Sequence, residues 1–589
     1  MYFLDPSLDD VRSLIQVSRG SAPADLYIRG GTVCNVYSGE YLRANVAIEG
    51  RRIAYVGPSE SCVGDDTHVI DASGKYLCPG YVEVHAHPWR ITNPLELCRA
   101  VLPLGTTTVF CDALFFQLLM EDEVLEQCLV KMSSLPTKIF WAPRITPQTT
   151  MPDQVVKFAT DRIKRILAQP NVAGIFEVTR WPLLLEGEPH SLECIATARA
   201  LGKRVDGHTA GCSYEKLNPI VAAGVESCHE AIDAQQALDR LRLGMHVFLR
   251  DSSLRGDLPE LIRVVTEHKV STSRLVLTTD GPDPQYFVDK GSVEYLAQLA
   301  VEAGVDPMTA LQMITLNPAT YFRLDHYIGG IAPGRIADIV VNSRPDNFKP
   351  ETVIADGQVV ARNGRLVVDL PAVDWDQFPC DRPSLPRGAR ILPKHLLLRA
   401  EHAGSSFPVL DLVSSVITRR RDVSLPVLDG FVDVTQDDGL LFATLLDRHG
   451  RTATNGVLKG FARNLQGLAS SCNTAGHVVV LGRSGEAMAM AANVLYEIGG
   501  GNVIVEDGRV IYQMPLESGG IMARHPFDVV VSQIRELTAL LRARGYVYED
   551  LAFTLFFLPC DFLPEIRITN MGLYDVKTRQ VLRPSRKIL

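Results

Sequence analysis

YLCPGYVEVHAHPWRITNPLELCRAVLPLGTTTVFCDAL, residues 76–114, contains a short apolar strand that runs into His85 and His87, a helical stretch, and a second short apolar strand. The same alternation continues downstream. The amphipathic EDEVLEQCLVKMSS (121–134) is followed by KIFWAPR (138–144), VAGIFEVTR (172–180), RVDGHTA (204–210), VESCHEA (225–231), MHVFLRDSS (245–253) and RLVLTTDG (274–281), each leading into a polar or helical stretch. That makes about eight strands, and strands alternating with helices predict a parallel sheet. No phosphate-binding glycine fingerprint follows the first strand. The expected fold class is therefore α/β, a (β/α)8 TIM-type barrel, rather than a doubly wound sheet.

Outside this region the periodicity changes. DLYIRGGTVCNV (25–36), YLRANVAIEG (41–50) and RRIAYVG (51–57) alternate with period two and are broken by glycines; ADIVVNS (337–343) and VIADGQVVARNGRLV (353–367) repeat that character far downstream. The expected organisation is a small β-sheet domain from both flanks (1–78 with 328–370), the barrel inserted between them (79–327), a Pro-rich linker (371–395) and a C-terminal α+β domain (396–589). The last contains a strand–helix–strand pattern over 478–511 and a long helix within 525–546.

At 589 residues, with 46% hydrophobic and 22% charged residues, the chain is an ordinary globular protein of several domains. Its net charge of −9 gives no reason to expect nucleic acid or an anionic membrane as partner. The twelve cysteines form no CxxC pair and read as reduced thiols. The N-terminus, MYFLDPSLDDVRSLIQ, places acids where a signal peptide needs a basic region. With no apolar run of the ~20 residues that span a bilayer, a cytoplasmic protein is expected.

In a barrel of this type chemistry sits at the carboxyl ends of the strands. His85 and His87, two apart in a strand, share a face and can point at one ion. Glu177, His208, His229 and Asp280 follow at later strand ends, with Glu230 beside His229. Four imidazoles and two carboxylates suit Zn, Mn or Fe rather than Mg or Ca.

These residues, with AVLPLGTTTV (100–109), KLNPIVAAGVESCHEA (216–231), GVDPMTALQMITLNPATYFRLD (304–325), GGIAPGRIADIVV (329–341), MPLESGGIM (514–522) and FLPCDFLPEIRITNMGLYDV (557–576), resemble the amidohydrolase superfamily and, within it, the bacterial adenine deaminases over nearly the whole chain. The resemblance implies two divalent metal ions, one held by His85, His87 and Asp280 and the other by His208 and His229, with Glu177 between them. It further implies a bridging hydroxide as nucleophile, Asp280 as proton shuttle and Glu230 as proton donor to the heterocycle. The implied reaction is hydrolytic deamination of adenine or a related amino-heterocycle by a homodimer or homotetramer.

Four segments depart from the family pattern. PWRITN (88–93) introduces Trp89 and Arg90; CDALFF (111–116) keeps Asp112 but has Leu114 and Phe115 where the family carries His and Glu; Gly281 and Asp283 follow Asp280; and NTAGH (473–477) retains only His477. Trp89, Arg90, Asp112, Phe115, Arg180 and His477 are therefore the expected substrate-binding residues. The shift towards apolar and arginine side chains suggests, as the alternative, a divergent paralogue hydrolysing a cyclic amide, lactone or amide bond of a bulkier aromatic or carboxylate-bearing substrate.

Overall fold

A computed structural model describes residues 4–400 and 406–589. Eight strands stand where the sequence places them: β1 (Tyr81–Ala86), β2 (Thr106–Asp112), β3 (Lys138–Ala142), β4 (Gly174–Val178), β5 (Arg204–Gly207), β6 (Ser227–Cys228), β7 (His246–Arg250) and β8 (Leu275–Thr278). All six pairings among them are parallel and join chain neighbours, in one arc of β1 to β3 and a second of β4 to β8. Helices follow the strands, as the crossover of a parallel pair requires. The arrangement is of TIM-barrel type.

The arcs approach each other at both seams. Between β3 and β4, Trp141 pairs with Val172, and the Ala173 amide donates to the Trp141 carbonyl at 2.8 Å. Between β8 and β1, buried Glu83 accepts hydrogen bonds from the Thr278 hydroxyl (2.5 Å), the Thr279 amide (2.9 Å) and the Thr279 hydroxyl (2.6 Å). Below the strand ends, Val84, Phe110, Phe140, Phe176, Phe248 and Val276, one from each of six strands, pack with Tyr321 and Phe322 in one buried cluster. The strands thus end over a packed floor rather than a channel.

The flanking strands form two sheets rather than one. Leu26–Arg29, Asn45–Glu49, Arg52–Gly57 and His68–Asp71 make a four-stranded sheet drawn only from the N-terminal flank. A seven-stranded sheet joins both flanks: Tyr76–Pro79 pairs parallel with Thr32–Asn35 and antiparallel with Ile339–Asn342. The acids of the N-terminal stretch open a helix, Leu8–Ser18, where Ser7 and Asp10 form a capping box and Asp9 and Asp10 meet the positive end of the helix dipole. Among the described residues no helix is long and apolar enough to cross a membrane, and all twelve cysteines are free.

Beyond the Pro-rich segment a nine-stranded sheet forms, with helix Gly485–Ile498 lying between strands Val478–Gly482 and Gly501–Glu506 in the chain. Helix Phe527–Arg542 lies within the stretch predicted as a long helix.

A buried ion pair ties β3 to the seven-stranded sheet. The Lys138 ammonium lies 2.9 Å from Asp338 and 3.2 Å from Asp356, and Lys138 and Asp338 are both buried. Removing one partner of such a pair strands the other charge in a dry interior. Lys138→Met should destabilise the protein by about 3–5 kcal/mol, read as a lowered thermal midpoint, and adding Asp338→Asn should recover most of the loss.

Candidate metal centre

The strand ends converge. His85, at the end of β1, and His87 just beyond it direct Nε2 towards Asp280 Oδ1, at 3.6 and 3.3 Å. Asp280 follows β8 at a left-handed φ of 52°, a strained conformation for a non-glycine residue that turns its carboxylate inwards. The next residue must be glycine, because a Cβ at Gly281 would lie 2.6 Å from His87 Cδ2. Glu177 on β4 stands between two groups of imidazoles: Oε1 is 3.9 Å from His85 Nε2, and Oε2 is 3.2 Å from His229 Nε2 and also contacts His208 Nδ1. His208 and His229 approach each other at 3.3 Å.

Three sets within this cluster bring ligand atoms close enough to share an ion: His85, His87 and Asp280; His85, Glu177 and His229; and His208, His229 and Glu230. His85 Nε2 is buried without a hydrogen-bond partner in the protein, which is what a ligand of an ion looks like when the protein alone is considered. The donor set, nitrogen with carboxylate oxygen, fits divalent transition metals. Glu230 falls within ligand reach as well as lining the cavity, a position the sequence reading gave only to a proton donor.

Burial pushes the carboxyls of Glu177, Glu230 and Asp280 up, but the nearby arginines and imidazoles outweigh it, so all three stay below the ordinary carboxylate range. Arg144, beyond β3, bridges Asp112 and Glu177, 2.6 Å from each. Arg250, ending β7, bridges Glu230 at 2.5 Å and Asp280 at 2.6 Å. Asp206 on β5 lies behind the histidines: its Oδ2 is 3.0 Å from His85 Nδ1 and 3.3 Å from His229 Nδ1, while Oδ1 accepts from the Ser227 hydroxyl at 2.7 Å. Asp112 stands similarly behind His87, 3.2 Å from Nδ1. These contacts favour the proton on Nδ1 of all three rings and leave Nε2 facing inwards.

The expected substrate residues divide. Trp89, Arg90 and Arg180 line a cavity of about 750 Å³ above the cluster. Asp112, Phe115 and His477 are outside its lining: Asp112 is fully buried against His87 and Arg144, Phe115 is sealed beneath Trp89 with ring centroids 4.7 Å apart, and burial drives the His477 imidazole down to about 3. Arg180 is paired with Asp561. The PWRITN departure is a docking strip for the C-terminal region. Ile91 exchanges backbone hydrogen bonds with Ile521 (2.9 Å) and Ala523 (2.7 Å), and the Asn93 amide donates to the Ala523 carbonyl at 2.9 Å.

Sequence reading did not single out Asp206, Arg144 or Arg250. Asp206 sits two residues before His208 and so shares its strand face, and both arginines stand at strand ends; the rule that found the histidines would have found them too. No local signal marked the opposite cavity wall, built by Val416, Ile417, Phe556, Phe562, Leu563 and Val576.

Residues 76–360 match the amidohydrolase family, and residues 415–580 match the adenine deaminase C-terminal domain. A protein of Halalkalibacterium halodurans is 34% identical over 98% of this chain and 97% of its own length. The adenine deaminase of Moorella thermoacetica is 33% identical, covering 97% of each chain, and that of Clostridium botulinum 30%, covering 96% of each.

Asp206 contacts one histidine from each imidazole group. Asp206→Asn should lower metal affinity about 10–100-fold, measured as metal retained after dialysis against graded chelator; wild-type retention would remove Asp206 from any orienting role.

Proposed function

We propose, because the chain belongs to the adenine deaminase family of amidohydrolases, that it catalyses the hydrolytic deamination of adenine or a closely related amino-heterocycle. The observation that carries this reading is the convergence of His85, His87, Glu177, His208, His229 and Asp280 from five strand ends at the base of one cavity, in a chain whose relatives match it from end to end. Deamination at an amidine-like carbon needs a nucleophilic oxygen near neutral pH, a proton acceptor beside it and a donor to the ring nitrogen.

His85, His87 and Asp280 would hold one divalent ion and His208 and His229 the other, with Glu177 facing both; the ligand types admit Mn, Zn or Fe. When bound, such ions lower the pKa of water towards neutrality and so supply the nucleophile. The protein's own groups do the rest. Asp280, kept ionised by Arg250, accepts a proton from the attacking water and delivers it to the departing amino group. Glu230, ionised and held by Arg250 and by Arg255 at 3.0 Å, lines the cavity, where it can take the water's other proton and pass it to the ring nitrogen. A C–O bond forms, the C–N bond breaks, and ammonia leaves. The reading also takes the two strand arcs as one closed (β/α)8 barrel spanning 79–327, with the flanks (1–78 and 328–370) as a separate sheet domain, 371–395 as linker and 396–589 as the C-terminal domain.

Purified protein loaded in turn with Mn, Fe and Zn should release ammonia from adenine, lose that activity on chelation and regain it on metal return. Glu230→Gln should cut kcat by about 10²–10⁴-fold, the usual weight of a general acid or base. Metal-replete protein that yields a ring-opened acid from a lactam, and no ammonia from adenine, would transfer the reading to carbonyl hydrolysis.

A further inference from the structure

The cavity is polar at its base and apolar further out. At the base stand His87, Glu177, His208 and Asp280 with Glu230 and Arg250. Phe562 stands edge-on to His208, ring centroids 5.6 Å apart, so the apolar wall begins directly against the cluster. Phe556, Leu563, Val416, Ile417 and Val576 extend it, all from the C-terminal region, with Trp181 and Leu183 facing them from the segment after β4. A volume of about 750 Å³ is that of a site enclosing a whole drug-sized molecule. Adenine is a single flat bicycle and, seated at the base, leaves most of that space to water in contact with apolar side chains.

Three arginines around this outer space are paired with carboxylates. Arg180 pairs with Asp561, Arg579 lies 3.1 Å from Glu186, and Arg255 lies 3.0 Å from Glu230 and 3.2 Å from Asp257. Arg90 donates to the Gly281 carbonyl at 3.0 Å and rests its guanidinium on Phe553, 3.9 Å from the ring centroid; its Nε and Nη1 have no hydrogen-bond partner in the protein but are buried away from the open cavity. A carboxylate or phosphate arriving here would have to displace a partner of Arg180, Arg255 or Arg579, or expose the buried nitrogens of Arg90. An apolar group would displace only water from the aromatic wall, and the hydrophobic effect favours that exchange.

We propose that the substrate is a neutral amino-heterocycle bearing an apolar substituent about the size of a ring, with its amino carbon at the metal cluster and the substituent against Phe562, Val416 and Ile417. This rests on the deaminase reading above and narrows it. The discriminating contacts lie in the outer wall.

The test is ammonia release by metal-replete full-length protein from adenine, from adenines carrying benzyl or butyl groups at C2 or at a ring nitrogen, and from the matching carboxyalkyl adenines. The best apolar analogue should exceed adenine in kcat/KM by at least about tenfold, the discrimination a hydrophobic pocket obtains from even one added methylene, and the carboxylated series should fall below it. Phe562→Ala should shrink that ratio with metal content unchanged, and Val416→Ser, at a half-buried position on the same wall, provides the same readout if the first variant folds poorly. Adenine preferred over every apolar analogue, or a carboxylated analogue preferred, overturns the proposal while the deaminase reading stands. No ammonia from any base, adenine included, sinks the deaminase reading and this inference with it.

Discussion

Charge balance in a dry place governs this structure. Glu177, Glu230, Asp280, Asp112 and Asp206 are all buried within one small region, and isolated carboxylates there would each cost several kcal/mol. The fold answers with imidazoles and with two arginines that each span a pair of carboxylates, Arg144 over Asp112 and Glu177 and Arg250 over Glu230 and Asp280. The division of labour follows the strands. β1, β4, β5, β6 and β8 carry the candidate ligands, while β2, β3 and β7 end in Asp112, Arg144 and Arg250, which orient or neutralise them. Every strand end is thereby committed to one electrostatic unit, and a change at a supporting end disturbs the ligands as surely as a change at a ligand.

That commitment leaves little at the base of the cavity to vary, so variation moves to the loops above it. The segment after β1 spends its backbone on pairing with residues 521–523, and the segment after β2 buries Phe115 under Trp89 and beside Phe556. These aromatic contacts fix the C-terminal helix Leu551–Phe557 over the cluster. The C-terminal region is then the second wall of the site, and the character of the space above the candidate ligands is set where the two halves of the chain meet.

Much of this was legible in the sequence. Alternating apolar strands and amphipathic helices marked all eight parallel strands, because burial on both faces leaves a continuous apolar run. The candidate ligands were legible because strand periodicity and strand ends are local properties: His85 and His87 needed only their spacing. The arginine bridges could have been found by the same rule, although nothing local says which carboxylates Arg144 and Arg250 span. Phe115 and His477 were read towards the substrate because their sequence positions match polar residues of the family. Their actual burial depends on how the 551–557 helix and the 473–477 turn pack, which no local pattern encodes.

The sequence by itself determined the strand order, the residue types gathered at the strand ends and hence the metal-dependent chemistry, since these follow from periodicity and ligand preference within short stretches. Only the tertiary structure decided which charges cancel, that Asp206 backs one histidine from each imidazole group, and that the outer cavity has an apolar wall with Arg180, Arg255 and Arg579 paired to carboxylates. Those properties arise between residues up to several hundred positions apart, such as Arg180 and Asp561, where proximity is a product of packing and not of chain distance.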